Sequence, residues 1–467
     1  MDREFLERWS REWVVAHDPE RDRPLDDEVR GGWLGFAPAS PEQIAAAEER
    51  LGRTLPPSLR SFLLITDGWK NAGNFIYRLA GTAELEWLRD TRDAHWADAY
   101  RNDAYQDDEF PEDDFPDDGE VIGRSLRISL AGDASVLFLD PEDVGEDGEW
   151  AAYRLASWSG TGPERFDSFA DLMIDLYAGF HALRKPPGET RDRWDAAVER
   201  ARLAALRGEL DEPAAVLAES QRFGRERAQL LRFQLSAMQG NWYTAPLSHV
   251  FLADMSVVND PLFEAELLPL LFVEDRLTHR HDRFTLDRLR QVDRVRARIE
   301  EYEARLAEPD FRQPFGNPEF DRAVRAIVDD LAAAVPDPAG RAVRSDPVPP
   351  PRGLRAAVVR RLDSPPGFGA PGSPVAFQGP HPPVAFQGPH PPTAFPEPGP
   401  TEAERAEAAR VRRALLDEAW TRLRAAMSTW RPVSDCHIAP VVLFTEPLLA
   451  KVLTPDRGRD LLRIPRG

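Results

Sequence analysis

Seventeen of the chain's 43 prolines fall between residues 347 and 400. Proline fixes φ and has no amide donor, so neither a helix nor a central strand runs through such a stretch. A nine-residue unit repeats inside it: PVAFQGPHP at 374–382, PVAFQGPHP at 383–391, and a decayed PTAFPEPGP at 392–400. A segment so poor in charge and in buriable surface cannot offset chain entropy. Residues 341–400 are therefore expected to form a disordered, polyproline-II-like linker. The 467 residues amount to two to four domains at about 100–200 residues each, and these must lie on either side of it.

Charge divides the chain a second time. Residues 1–180 carry 40 acidic and 18 basic side chains, net −22, while 181–467 carry 40 and 41, net +1. The overall −21 thus belongs to the N-terminal domain. Phosphate contacts need a basic surface, so direct nucleic-acid binding by this domain is not expected. A single cysteine, Cys436, excludes an intramolecular disulfide and a thiolate metal cluster. The start, MDREFLERWSREW, does not read as a secretory signal, and the longest apolar run, LLPLLFV (267–273), is far short of the ~20 residues that span a membrane. A cytoplasmic location is expected.

Residues 1–182 alternate between helical and strand patterns. Ser40, Pro41 and Gln43 form a capping box ahead of Ile44, Ala47 and Leu51 on one helical face, with Gly52 as the stop. A second helix is predicted over about 57–66, ending at Asp67-Gly68. Strands are predicted at 74–79, at 126–130, at 135–140 after the turn Ala131-Gly132-Asp133-Ala134, and at 150–155. A closing helix over about 168–183 would bury Phe169, Leu172, Met173, Leu176 and Phe180. Short local connections argue for an antiparallel meander, hence an α+β domain.

The string AAAEERLGRTLPPSLRSFLLITDG (45–68) resembles the signature of the SUKH superfamily, the bacterial toxin-immunity group that also contains yeast cell-wall-assembly regulators. The matching positions are Glu48, Leu51, Gly52, Leu55, Pro56, Phe62 and Gly68. The strand pair around Gly132 and Asp133, an acidic turn at 140–149 and the final helix DSFADLMIDLY (167–177) follow in the family's order. The resemblance spans about residues 1–182. It implies a non-enzymatic protein that binds and neutralises a toxin, often a nuclease, and its shared residues are mainly fold determinants. This sequence departs from the family in a long acidic insertion at 103–120.

That insertion, DAYQDDEFPEDDFPDDGE, holds ten carboxylates in 18 residues. One reading is a solvated surface loop. A second is an anionic recognition surface for a basic partner, with Asp107, Asp108, Glu109, Glu112, Asp113, Asp114, Asp117 and Asp118 steering, and Phe110 and Phe115 supplying contact area. A third, a calcium loop, fails as an EF-hand because Pro116 falls where a side-chain oxygen is needed. Trp33, Trp69, Trp87, Trp96, Trp150 and Trp158 read as core by default. Trp69, directly after Gly68, is the exception expected to be an exposed partner anchor.

The rest carries little recognisable chemistry. No glycine-rich phosphate loop, nucleophile elbow or HExxH is present. No catalytic residues, metal ligands or cofactors are expected. Cys436-His437 reads as packing. Residues 189–335 read as helices: a stripe of Trp194, Ala197, Val198, Ala201 and Ala205, a second helix starting near Pro213, then 225–238 and 283–307. A plain bundle fits better than tetratricopeptide-type repeats, since no period is fixed. Residues 401–467 read as a small α-rich module: a helix carrying Leu416, Trp420, Leu423 and Met427, a short strand at 441–444 and a helix from Thr454-Pro455. Its apolar residues need a partner surface, on this chain or on another protein. The alternative to immunity is a cytoplasmic scaffold working through these later regions.

Overall fold

The computed structural model describes residues 1–20, 25, 27–101, 117–242, 247–274, 277, 284–334 and 401–466. The Pro-rich segment lies outside the described residues. The chain divides into two compact units, Met1–Val328 with Trp420–Gly467, and Asp329–Ala419.

The first unit opens with an α+β domain. Helix α1 (Arg3–Val15) starts at Asp2, whose carboxylate accepts the Phe5 amide at 2.9 Å, and buries Leu6 and Trp9. After the short α2 (Asp27–Arg30) comes α3 (Pro41–Leu51), with the predicted capping box formed in both directions and Gly52 left-handed at φ 69°. Helix α4 (Pro57–Leu63) ends three residues earlier than predicted, although Thr66 is buried as expected.

Two antiparallel sheets follow. One has the order β1-β2-β5 (Trp69–Lys70, Ile76–Leu79, Ser129–Gly132). The other has the order β3-β4-β6-β7-β8 (Glu86–Trp87, Leu126–Arg127, Ser135–Val144, Trp150–Ala156, Glu164–Phe166). The single strand predicted at 126–130 is thus two strands. Leu126 and Arg127 pair with β6, whereas Ser129 onward pairs with β2. Helices α5 (His95–Ala99) and α6 (Asp118–Arg124) cover one face of β6 and β7 with Val121 and Ile122. The main core, around Phe62, Trp69, Leu137 and Leu139, lies on the other face. Burial on both faces explains why SVLFL (135–139) is a continuous apolar run. Helix α7 (Phe169–Arg184) closes the domain from an N-cap at Ser168 and buries all five predicted residues.

Helices then succeed one another: α8 (Glu189–Leu206), α9 (Asp211–Arg222), α10 (Glu226–Met238), α11 (Leu247–Ala253) and α12 (Leu268–Leu271). A π-turn, Phe263–Leu267, leads into α12. The helix predicted over 283–307 is broken into α13 (Phe284–Arg290) and α14 (Asp293–Leu306), because Val292 is extended at φ −93°, ψ 107°. Val295, Ile299 and Tyr302 carry the buried stripe of α14, and Leu306 near its end is exposed. Helices α15 (Pro318–Ala334) and α16 (Glu402–Ala426) cross the division between units. In the second unit, α16 is solvent-exposed over most of Glu402–Ala419, and Val411 is half exposed.

From Trp420 onward the chain packs inside the first unit. The strand predicted at 441–444 is instead a tight 3-10 turn, Val441–Thr445, with Val441, Val442, Leu443 and Phe444 buried. Within it the Val441 and Leu443 amides donate to the carbonyls of Ala439 and Pro440, while the amides of Val442 and of Ile438 and Ala439 just ahead are met by side chains. The buried Gln234 of α10 is a clamp: its Nε2 donates to the Cys436 carbonyl at 2.7 Å, and its Oε1 accepts the amides of Ile438 at 2.8 Å and Ala439 at 3.2 Å. The buried Glu266 of the π-turn accepts the Val442 amide at 2.6 Å. Helices α17 (Pro447–Val452) and α18 (Pro455–Leu462) complete the tail, and the Arg466 amide donates to the Leu206 carbonyl at 2.8 Å. The partner surface that the tail's apolar residues require is therefore on this chain.

Candidate partner-binding surface

Strand β2 departs from strict alternation: Ile76 and Leu79 are buried with Tyr77 and Arg78 exposed between them, and its register against β5 shifts on either side of Arg78. Phe75, just before the strand, and Tyr77 both face outward. They are 39% and 46% exposed. Beside them is Trp158, 60% exposed, its ring centroid 5.2 Å from that of Phe75. Three chain segments are laced together to hold this patch. The Asp133 amide donates to the Phe75 carbonyl at 2.7 Å, and the Ser157 amide donates to the Ala134 carbonyl at 3.0 Å. Gly132 pairs with Ile76, and a Cβ there would meet the Ser135 carbonyl at 2.7 Å, so the turn requires glycine. Beyond Trp158, the Ser159 hydroxyl bonds within the turn to Thr161, and Gly160 is left-handed at φ 66°.

The end of the acidic run adjoins the same turn. Gly162, four residues after Trp158, lies so close to the Asp118 carboxylate that a Cβ would overlap it. Burial, and then the charge of Asp117, raise the Asp118 carboxyl above its ordinary value. Burial, and then Asp118, likewise push the Tyr100 phenol up. Asp117 is the N-cap of α6, accepting the Gly119 amide at 2.6 Å and the Glu120 amide at 3.3 Å. Both aspartates are therefore half-buried parts of the fold rather than free steering charges. Asp107, Asp108, Glu109, Phe110, Glu112, Asp113, Asp114 and Phe115 lie outside the described residues.

Trp69 is a correction. It is fully buried, with ring centroids 5.9 Å from Trp9, 5.3 Å from Trp33 and 6.4 Å from Phe62. Gly68, at φ 108°, turns the chain straight into β1, and Trp69 bridges to Gly35, so the loop expected there is a strand facing the core. Trp158 is the opposite correction: read as core, it is the exposed tryptophan. Its neighbours Ser157, Ser159 and Gly160 offer no apolar periodicity, and that was the available signal. Alternation in NFIYRL puts Phe75 and Tyr77 opposite Ile76 but would put Leu79 beside them, and the register shifts around Arg78 turn Leu79 back into the core.

The signature residues serve the fold. A Glu48 carboxylate oxygen accepts the Leu55 amide at 2.9 Å and pairs with Arg60, fixing the α3–α4 corner. Leu51, Leu55 and Phe62 are core, and Pro56 precedes α4 in extended geometry. Cys436 is held as a thiol, pushed up to about 11 first by burial and then by the charge of Asp260. His437 accepts the Val433 amide on Nδ1 at 3.1 Å, so its proton sits on Nε2, 3.0 Å from the Ala439 carbonyl and 3.1 Å from Glu266. That pair packs the tail. Among the described residues, no group of three or more His, Cys, Asp or Glu is placed to hold a metal ion. None of the described helices is long and apolar enough to cross a membrane.

The surface can therefore offer aromatic contact area on a rigid turn. Truncating an exposed aromatic should barely affect folding, whereas truncating a buried one should. Trp158→Ala is expected to change unfolding free energy by no more than about 0.5 kcal/mol, and Trp69→Ala to cost about 3–5 kcal/mol, measured by urea denaturation. Residues 38–175, which contain the patch, match the SMI1 / KNR4 family (SUKH-1), and the rest of the chain lies outside that match. No curated protein and no solved structure matches the chain.

Proposed function

We propose that this chain, whose residues 38–175 form a SUKH-1 domain, is a non-enzymatic immunity-type protein that binds a toxin domain and occludes its basic site. At the family level the domain supports a protein-interaction module. The neutralised toxin and the cytoplasmic setting are our reading. The observation that carries it is the exposed Phe75–Tyr77–Trp158 patch, built on the family domain beside the end of a ten-carboxylate run. Interface hot spots are enriched in such aromatics, and carboxylates raise the on-rate toward a cationic site. A nuclease, whose cleft binds phosphate, is the kind of toxin an acidic surface fits.

The test is co-expression with nuclease-type toxin domains, beginning with any that the neighbouring genes encode, with complex formation followed by titration. Protection and a stoichiometric complex are expected. Trp158→Ala should weaken binding roughly 30-fold, the equivalent of a ~2 kcal/mol hot spot. Changing the carboxylates of 107–114 to Asn and Gln should slow association most at low salt. Asp117 and Asp118 stay unchanged because they support α6 and the Gly162 contact. No complex, or a complex indifferent to Trp158, would overturn the reading.

One observation favours a scaffold instead: most of the first unit lies outside the match, with the tail from Trp420 folded into that unit. Trp158→Ala separates the readings: loss of protection favours immunity through the N-terminal domain, and partner binding that survives it favours a role for the later regions.

A further inference from the structure

A cavity of about 230 Å³ opens where the π-turn, the 302–317 stretch and the start of the tail meet. Its walls include Ala265, Pro314, Pro432 and Val433, with the polar groups of Tyr302, Gln313 and Asn317 among them. Two guanidiniums line it, Arg305 and Arg431. Among the described residues neither pairs with a carboxylate. Arg305 stacks over Phe311 at 4.8 Å, and Arg431 spends one nitrogen on the carbonyls of Ser428 and Trp430. The only carboxylate in the lining, Glu264, is 3.6 Å from Arg298, outside the cavity.

The polar walls are held in place. Tyr302 donates to the Gln313 side chain at 2.7 Å. Asn317 donates to the Thr429 carbonyl at 3.0 Å and accepts the Arg431 amide at 2.9 Å, fixing Arg431 against the wall. Behind Gly316, which also lines the cavity, is Trp430. It is fully buried, and among the described residues its indole N–H has no acceptor. Gly316 sits at φ 135°, and a Cβ there would lie 3.8 Å from that nitrogen. The missing side chain leaves the unpaired donor close behind the wall.

Apolar walls with a few convergent polar groups are the usual form of a ligand site. Unpaired guanidiniums select planar or tetrahedral oxyanions, and an orphaned buried donor costs stability until something accepts from it. We propose that this cavity binds a small oxyanion-bearing molecule, a carboxylate or a phosphate, between Arg305 and Arg431. A cavity of about 230 Å³ suits a small ligand. Because Arg431–Val433 belong to the tail and Tyr302–Asn317 do not, an occupant would bridge the two.

The test is calorimetric titration of the full-length protein with inorganic phosphate and, separately, with succinate, at ionic strength matched by sodium chloride. Saturable binding of at least one is expected, and which one tells phosphate from carboxylate. Arg305→Gln should weaken it at least tenfold while leaving the melting temperature in plain buffer unchanged. Val433→Trp, at a lining position that is 37% exposed, should crowd the cavity and abolish binding while both guanidiniums are kept. Absence of saturable binding by both probes, or binding unchanged in Arg305→Gln and Val433→Trp, overturns the proposal. Neither outcome bears on the aromatic patch, which lies on a different domain.

Discussion

Glu12→Ala is expected to cost about 3–5 kcal/mol of unfolding free energy at neutral pH, read by urea denaturation. Glu12 is buried where α1 meets α7 and the start of α8. Its carboxylate accepts from the Tyr177 hydroxyl, from His181 Nε2 at 3.0 Å and from the Thr190 amide at 3.1 Å. Removing it leaves a buried imidazole N–H and a buried amide without this acceptor, and takes from the Tyr177 hydroxyl its carboxylate partner, leaving Thr190 at 2.7 Å and Arg8. Burial alone would raise this carboxyl, but the hydrogen bonds from His181 and Tyr177 outweigh it, and the net shift is downward from 4.5. A lowered folded value stabilises the protein above the unfolded one. That contribution is complete above about pH 4.5 and is lost as pH falls through the folded value. Stability should thus drop on acidification, and Glu12→Gln should flatten that part of the profile. A Glu12→Gln profile parallel to wild type would show that the acid sensitivity comes from other carboxylates.

Gly458→Ala is expected to be the most damaging single-methyl change in the tail. Gly458 lies on α18 against the end of α10, and a Cβ there would overlap the Met238 carbonyl oxygen. Main chain cannot swing away as a side chain can, so α18 must lift. A cost of about 3 kcal/mol, the upper end for overpacking, is expected. Limited proteolysis should show cleavage within 447–466 appearing in the variant before any cut in α7. Wild-type resistance there would mean that α18 docks with room to spare.

The two cases share a reason why sequence reading stops short. Local rules found the capping box at Ser40 and Gln43, the glycine stop at Gly52, the N-cap at Ser168 and five buried residues of α7, because each is decided within a turn or two of chain. Contacts distant in sequence were invisible. Nothing around Glu12 announces that its partners lie more than 160 residues away, and nothing around Gln234 announces a clamp on Ile438. The strand predicted at 441–444 had the right apolar run, but the surface it meets consists of helices and two polar side chains. Trp69 and Trp158 were exchanged for a similar reason. Exposure was judged from the glycine before Trp69, whereas the fold turns that glycine into the entry of a strand. The acidic run stands out by composition, yet of its three described carboxylates Asp117 and Asp118 are committed to a helix cap and a close packing contact, and Glu120 is exposed.

The tail's docking changes what a peptide bond between residues 341 and 400 is needed for. Residues 420–466 are held by the Gln234 clamp, by Glu266 and by the Arg466–Leu206 bond, none of which uses a residue of 341–400. For these contacts the covalent connection supplies effective concentration. Cut anywhere in 341–400, the protein should behave as a two-piece assembly whose halves co-migrate under native conditions and part only in denaturant. The same halves expressed separately should reconstitute at high concentration and come apart on dilution, as a split protein does.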